Sequence, residues 1–298
     1  MNVNKELITT VVGSFPSEPS KESLSKSYFT DTDPYLESLR NAVLTQIDTG
    51  IELISDGQTR GGMVEIFAGG LKGYRIKEKI EIISDIKFLS PITLQDQKLA
   101  KNMISKDVGL KGIITGPFTM VRSAENKHYR SEKNAVLDTA EALKYEAQEL
   151  AKVCDVVQID EPFISTEFPE YAQEAVETIL DINTTTAIHI CGNVNPFVED
   201  LVEFDVDILD HEFADNPSLF EVYKDIDFSQ RISVGVVSTD PRVESIDEIK
   251  TRINKAYEIF GANCMLDPDC GLKDIDFESA KSKLENMVQA RDLLLKVI

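Results

Sequence analysis

The feature that most constrains this chain is an alternation repeated eight times, in which a short β-rich run ending near Gly, Pro or Asp gives way to a stretch with helical periodicity. The runs are Ile8–Gly13, Ile51–Ser55, Gly112–Thr115, Asp155–Ile159, Thr185–Ile190, Val206–Leu209, Ile232–Val237 and Asn263–Leu266. Amphipathic stretches lie between or after them at Tyr35–Ile47, Glu132–Lys152, Tyr171–Leu180, Pro196–Phe204, Leu219–Asp225, Ile246–Phe260 and Phe277–Lys296. This order implies parallel strands joined by crossover helices, and eight repeats favour closure into a (β/α)8 TIM barrel over an open sheet. The gap between the second and third strands is the irregular one. Within it, Tyr74–Lys87 alternates polar and apolar residues, which predicts an inserted β-hairpin. No Gly/Ser/Pro-rich linker or charge block divides the chain, so residues 1–298 read as a single barrel domain.

Charge narrows the partners. The chain has 31 Lys+Arg against 52 Asp+Glu, a formal net charge of −21, and its basic residues are scattered. Such a surface repels phosphate backbones and anionic lipid, so neither nucleic acid nor a membrane is expected as a partner. The longest apolar runs, such as Lys111–Val121, fall well short of the roughly 20 residues a spanning helix needs. The amino terminus, Met1 to Glu6, lacks the basic-then-apolar form of a secretory signal, and the expected location is the cytoplasm. Four cysteines are too few for a disulfide framework. Cys154 and Cys264 lie in apolar stretches and read as small core residues.

In such barrels chemistry sits at the carboxyl ends of the strands. The eight ends deliver Gly13-Ser14-Phe15-Pro16, Asp56-Gly57-Gln58-Thr59-Arg60, Gly116-Pro117-Phe118-Thr119, Asp160-Glu161-Pro162, His189-Ile190-Cys191, Asp210-His211-Glu212, Ser238-Thr239-Asp240-Pro241 and Asp267-Pro268-Asp269-Cys270-Gly271. His189 and Cys191, two apart on a strand, point to the same side, and Cys270 can join them from across the mouth. Two thiolates with one imidazole select zinc among common ions. A fourth ligand is expected from the sixth strand end, where His211 competes with Glu212. Neighbours on a strand face opposite ways, and spacing leaves the choice open. His128, in a polar stretch, reads as a surface histidine.

Asp160-Glu161-Pro162 has two readings: a carboxylate that caps the next turn, or an Asp160 that accepts hydrogen bonds from a substrate ammonium. Gly13-Ser14-Phe15-Pro16 is either a tight turn or a loop whose backbone and Ser14 hydroxyl hold a substrate carboxylate. Gly61-Gly62 and Gly69-Gly70 fit no phosphate-loop pattern, which removes nucleotide binding from consideration.

Taken together, Thr10-Val-Val-Gly-Ser-Phe-Pro16, Asp56-Gly57 with Met63-Val-Glu-Ile-Phe67, Gly116-Pro117, Gln158-Ile-Asp-Glu-Pro162, His189-Ile-Cys191 and Asn263 to Lys273 occur in a telling order. The set, over nearly the whole chain, resembles the catalytic barrel of the cobalamin-independent methionine synthase family, in a short archaeal-type form without the additional amino-terminal barrel. The resemblance implies zinc held by His189, Cys191, Glu212 and Cys270, which resolves the sixth strand in favour of glutamate. It also implies that Ser14 and Asp160 hold the amino-acid part of L-homocysteine, whose thiol receives a methyl group to give L-methionine.

Three departures bear on the methyl donor. Gln58 stands where the family has a glutamate that helps bind the ammonium, Val237–Arg242 lacks the family's histidine, and the chain has no tryptophan, so the stacking ring after Gly116-Pro117 is missing. The expectation drawn from the missing histidine and the missing ring is a methylated corrinoid donor, methylcobalamin or a corrinoid carrier protein, with no catalytic residue beyond the metal site. The alternatives are a methyltetrahydrofolate-dependent methionine synthase, or a zinc methyltransferase for another thiol such as coenzyme M, which offers Asp160 no ammonium. A non-catalytic zinc barrel that captures its ligand without turnover is the rival from another class.

Overall fold

The computed structural model describes residues 5–297. Its strands are β1 (Ile8–Thr9), β2 (Leu53–Ile54), β3 (Leu71–Ile76), β4 (Ile80–Phe88), β5 (Gly109–Thr115), β6 (Glu125–Asn126), β7 (Val156–Asp160), β8 (Thr185–Ile190), β9 (Ile208–Glu212), β10 (Arg231–Val237) and β11 (Met265–Pro268). Eight of them form one parallel sheet in the order β1-β11-β10-β9-β8-β7-β5-β2. A parallel bridge between Thr10 and Leu53 joins its two ends, and the sheet closes into a (β/α)8 barrel. Each barrel strand overlaps one of the eight runs read from the sequence. The hairpin is present too: β3 and β4 pair antiparallel, and β6 adds a parallel third strand on β4. No helix among the described residues is long and apolar enough to cross a membrane.

The inside of the barrel is built in layers, because alternate residues of each strand point inward. Ile8, Leu53, Val156, Ala187, Ile208 and Met265 form a closed apolar cluster of their own. They stand at the amino-terminal ends of their strands and make the floor. Two residues further along, the same inward parity brings Gln158, His189, Asp210 and Asp267, joined by Lys111 and Ser233, all buried. The next step reaches Asp160, Cys191 and Glu212. The interior therefore changes from apolar to polar within one layer, and the polar end is the one from which the long loops spring.

Outside, helices bury apolar stripes against the strands. Ile246–Phe260 starts at a capping box in which Ser245 and Glu248 satisfy each other's backbone N–H groups, and it ends at Gly261 with a left-handed φ of 70°. Phe277–Leu295 starts with Asp276 accepting from the Ser279 N–H. The stretch expected as a helix at Pro196–Phe204 is a 3-10 turn, Asn195–Phe197, followed by the short helix Val198–Leu201. Short helices at Lys21–Ser27, Met63–Gly70, Leu94–Lys101 and Pro117–Arg122 add to the expected set.

A candidate metal centre at the barrel mouth

Of the four expected ligands, three converge. One ligand atom each from His189, Cys191 and Cys270 lies within 4.8 Å of the others. His189 and Cys191 come from the end of β8, and Cys270 from the loop after β11, across the barrel. The thiols are half-buried and His189 is buried. Neither ring nitrogen of His189 makes a well-formed hydrogen bond, although both are shut off from solvent, and the nearest polar side chain to Nδ1 is Asp210 at 3.2 Å. An imidazole left so in a protein interior is costly unless something else satisfies it, and two thiols at this range are suitable co-ligands. The donor set fits zinc by its chemistry.

Glu212 stands beside this cluster and not in it. Its carboxylate accepts a hydrogen bond from Asn216 Nδ2 at 3.2 Å and one from the Gly192 backbone, next to Cys191. Burial raises its carboxyl above the ordinary value, with the Gly192 N–H opposing. Register separates it from its neighbour: Asp210 faces inward, so Glu212 does also, while His211 turns outward. His211 is buried with its ring 6.2 Å from that of Tyr223, and burial lowers it to about 4. It is a core histidine. His128 is an exposed partner of Asp85, 2.7 Å away.

Asp210 lies directly behind the cluster, its Oδ2 3.2 Å from His189 Nδ1. Burial disfavours a charged His189, but the Asp210 charge and the Cys270 thiol outweigh it and hold the ring well above its usual value. A carboxylate in this position sets which ring nitrogen faces a metal. Asp267 in turn faces Asp210; burial and the Asp210 charge push it well up, and it accepts from Ser233 Oγ at 2.8 Å. Asp210, Asp267, Lys111 and Gln158 are the residues that sequence reasoning missed. Their signal was polarity at inward positions of otherwise apolar strands, which becomes legible once the barrel register is assigned.

The capping reading of Asp160-Glu161-Pro162 is met, and by Glu161. Glu161 points out of the barrel and accepts from the Phe118 and Thr119 N–H groups at 2.8 and 2.9 Å and from Thr119 Oγ1 at 2.6 Å, capping the helix Pro117–Arg122. Gly116 is a glycine because any Cβ there would collide with that carboxyl group. Asp160 points inward and pairs in register with His189. Burial pushes its carboxyl up to about 6, against the pull of His189 and Gln158.

Ser14 is half-buried beside the Cys270 loop, its carbonyl accepting from the Leu272 N–H at 2.9 Å. Gln58 sits at the next strand end with a left-handed φ of 46°, and its side chain covers Gly13. It lines a small cavity with Asp56, Arg60, Asp96 and Ile113. Arg60 is clamped there between Asp96 and Asp33, the latter at 2.5 Å.

The chain is similar along its length to known proteins. A family described as "Cobalamin-independent synthase, Catalytic domain" matches residues 7–292. The methionine synthase of Methanocaldococcus jannaschii is 37% identical over 311 residues, covering 97% of this chain and 99% of that protein. The methionine synthase of Methanothermobacter thermautotrophicus is also 37% identical, over 308 residues, covering 95% of this chain and 99% of its own. Among solved structures, a B12-independent methionine synthase from Shewanella sp. W3-18-1 in complex with selenomethionine superposes with a TM-score of 0.83 at 21% identity, covering 98% of both chains. At that identity the superposition speaks for the fold.

These findings correct the expectation of a corrinoid donor. The matching family is cobalamin-independent, so neither methylcobalamin nor a corrinoid carrier protein is the implied source of the methyl group. The physical error lay in reading two missing side chains as a missing function. The stretch after Gly116 is a buried helix whose Phe118 packs in the core, 6.4 Å from Tyr171, and it presents no ring to the mouth. Beside the rim, burial raises the carboxyls of Asp56, to about 6, and Asp269, to about 8, the latter held by the Ala214 and Asp215 N–H groups.

Proposed function

We infer that this chain, which belongs to the cobalamin-independent methionine synthase family and is therefore a methyltransferase, moves a methyl group from methyltetrahydrofolate to the thiol of L-homocysteine. The observation that carries the reading is the convergence of His189, Cys191 and Cys270 at the polar end of the barrel. We take these three as ligands of a zinc ion, with Glu212 as the fourth. The whole chain then acts as one methyltransferase domain, in a reducing cytoplasm where the two thiols stay available.

A free thiol with a pKa near 8.5 is only a few per cent ionised at neutral pH. A zinc ion held by these residues would supply Lewis acidity that favours the thiolate form of the substrate sulfur. The residues of the chain do the rest. Asp210 fixes the His189 ring so that one nitrogen faces the ligand position. Glu212 would be the most readily released of the four ligands, because Asn216 already donates to its carboxylate at 3.2 Å. Asp160 receives the substrate ammonium, and the Ser14 loop its carboxylate, so that the thiol reaches across to the β8 and β11 ends. As the S–CH3 bond forms the donor's N–CH3 bond breaks, and the nitrogen takes up one proton, balancing the one that the homocysteine thiol released.

The test is methionine formation, followed by mass spectrometry, with zinc-loaded protein, homocysteine and one donor at a time. Methyltetrahydrofolate is expected to suffice. Methionine from methylcobalamin with none from methyltetrahydrofolate overturns the donor assignment, and no methionine from either overturns the reaction.

A further inference from the structure

Between the barrel floor and the proposed metal site runs a chain of buried hydrogen bonds that the mechanism above leaves unused. Lys111, 2% exposed inside the barrel, donates to Gln158 Oε1 at 2.7 Å and to the Val11 carbonyl at 2.8 Å. Gln158, fully buried, donates from Nε2 to Asp160 Oδ1 at 2.7 Å and to the Val12 carbonyl at 3.0 Å.

The order of these contacts is dictated by chemistry. An ammonium has three donors and no acceptor, so Lys111 can face only the oxygen of the Gln158 amide. The Asp160 carboxylate and the Val12 carbonyl, which can only accept, require the N–H side of the same amide, so its orientation is fixed from both ends. Asp160 Oδ1 is thereby engaged from below, leaving Oδ2 for an incoming donor. The same two side chains hold the carbonyls of Val11 and Val12, the residues that lead into Gly13 and Ser14.

We propose that Lys111 and Gln158 are positioning residues that lock Asp160 to the Ser14 segment at a set spacing and so select a thiol bearing an α-amino-acid group. This rests on the proposed roles of Asp160 and Ser14. The selectivity arises because the ammonium and carboxylate subsites are carried by one rigid hydrogen-bonded unit, where two independently mobile loops would tolerate a ligand lacking either charge.

The experiment compares homocysteine with 4-mercaptobutanoate, which has the same thiol and carboxylate and no amino group. Their dissociation constants are measured by calorimetry on zinc-loaded protein without a methyl donor. The wild-type protein is expected to prefer homocysteine by at least about tenfold, and Gln158→Leu to lose most of that preference while keeping its zinc and its affinity for 4-mercaptobutanoate within about twofold. Lys111→Met, which removes the donor that ties Gln158 Oε1 to the Val11 carbonyl, is expected to lose part of it, and provides a second route should Gln158→Leu not fold. If the wild-type protein binds both thiols equally, the ammonium role of Asp160 fails. If it discriminates and both variants discriminate equally well, the relay fails while that role stands. An equal weakening of both thiols in the variants marks Gln158 as structural and also overturns the relay.

Discussion

Two buried polar clusters in this barrel make an instructive pair. Below the loop after β10, Lys283 and Glu244 are 0% and 1% exposed, and their charges meet at 2.6 Å. Both side chains have further partners: Lys283 also donates to the Ser238 carbonyl at 3.0 Å, and Glu244 accepts from the Ser238 N–H at 2.8 Å and from Arg252 at 3.2 Å. At the mouth, His189 and Asp210 are just as deeply buried, yet beyond their own 3.2 Å contact the ring nitrogens and the carboxylate oxygens have no well-formed hydrogen bond. The first network is closed and ties a loop to the helix Phe277–Leu295. The second is open on the side where two thiols wait. Deep burial of polar groups is costly, so a closed set is explained by the fold and an open one by what it binds.

The contrast breaks most directly at Cys270. Cys270→Ser is expected to abolish methyl transfer and bound zinc together, read by product assay and elemental analysis, while the circular dichroism spectrum of the fold is retained. A variant that keeps one zinc per chain removes Cys270 from the ligand set and with it the open character of the cluster.

Lys283→Met should behave in the opposite way. Removing one partner leaves the other charge buried, a loss of about 3 kcal/mol or more in stability, softened by the remaining Arg252 contact. Denaturant titration measures it, and zinc content per folded molecule should not change. The pair also makes a pH prediction. Burial pushes the Glu244 carboxyl up, but Lys283 and the Ser238 N–H prevail and hold it below its ordinary value. The unfolded chain therefore binds the proton more readily. The contribution is fully present above the ordinary carboxylate pKa and is lost as pH falls through the lowered folded value. The Lys283→Met protein should show a shallower loss of stability over that acid range. A loss as steep as the wild type's would place the acid sensitivity elsewhere.

What was legible in the sequence follows the same division. The eight strands could be read because each is a short apolar run ended by a turn residue, and the convergence of the three candidate ligands because His-x-Cys and the second cysteine lie at strand ends. Short helices such as Pro117–Arg122 escaped because six residues are too few to establish a period, and this one is capped by Glu161, 42 residues away from Thr119. The supporting cast escaped for a related reason. Lys111 sits in an apolar run that looks wholly buried, and nothing local says that its neighbours in space are Val11 and Gln158. Glu212 could not be separated from His211 by spacing, and the inward parity of Asp210 is what divides them.

A smaller effect is expected one step back from the ligands. Asp210→Asn keeps the shape behind His189 and removes the charge, and loss of such a partner weakens metal binding by roughly 10- to 100-fold. Competition with a chelator of known affinity gives the number. If the zinc affinity is unchanged, Asp210 does not serve the metal, and the open cluster loses the group that makes it one site.

The smallest effect distinguishes the regions by strain. Gln58 holds a left-handed backbone at the mouth, a conformation that costs a side-chain-bearing residue on the order of 1 kcal/mol and that glycine adopts freely. No positive-φ residue other than glycine occurs among the described residues except Leu7 and Gln58. Gln58→Gly is expected to leave stability unchanged or raise it by up to about 1 kcal/mol, since relief of strain is offset in part by the greater freedom of the unfolded chain. If the side chain serves the substrate, the same variant raises the KM for homocysteine while zinc content stays constant. Strain kept at a position where glycine would be more comfortable is then explained by the ligand, as the poorly hydrogen-bonded ring of His189 is. A variant that is more stable and kinetically unaltered would make the Gln58 turn a tolerated local defect, and the comparison between closed and open regions would stop at the metal ligands.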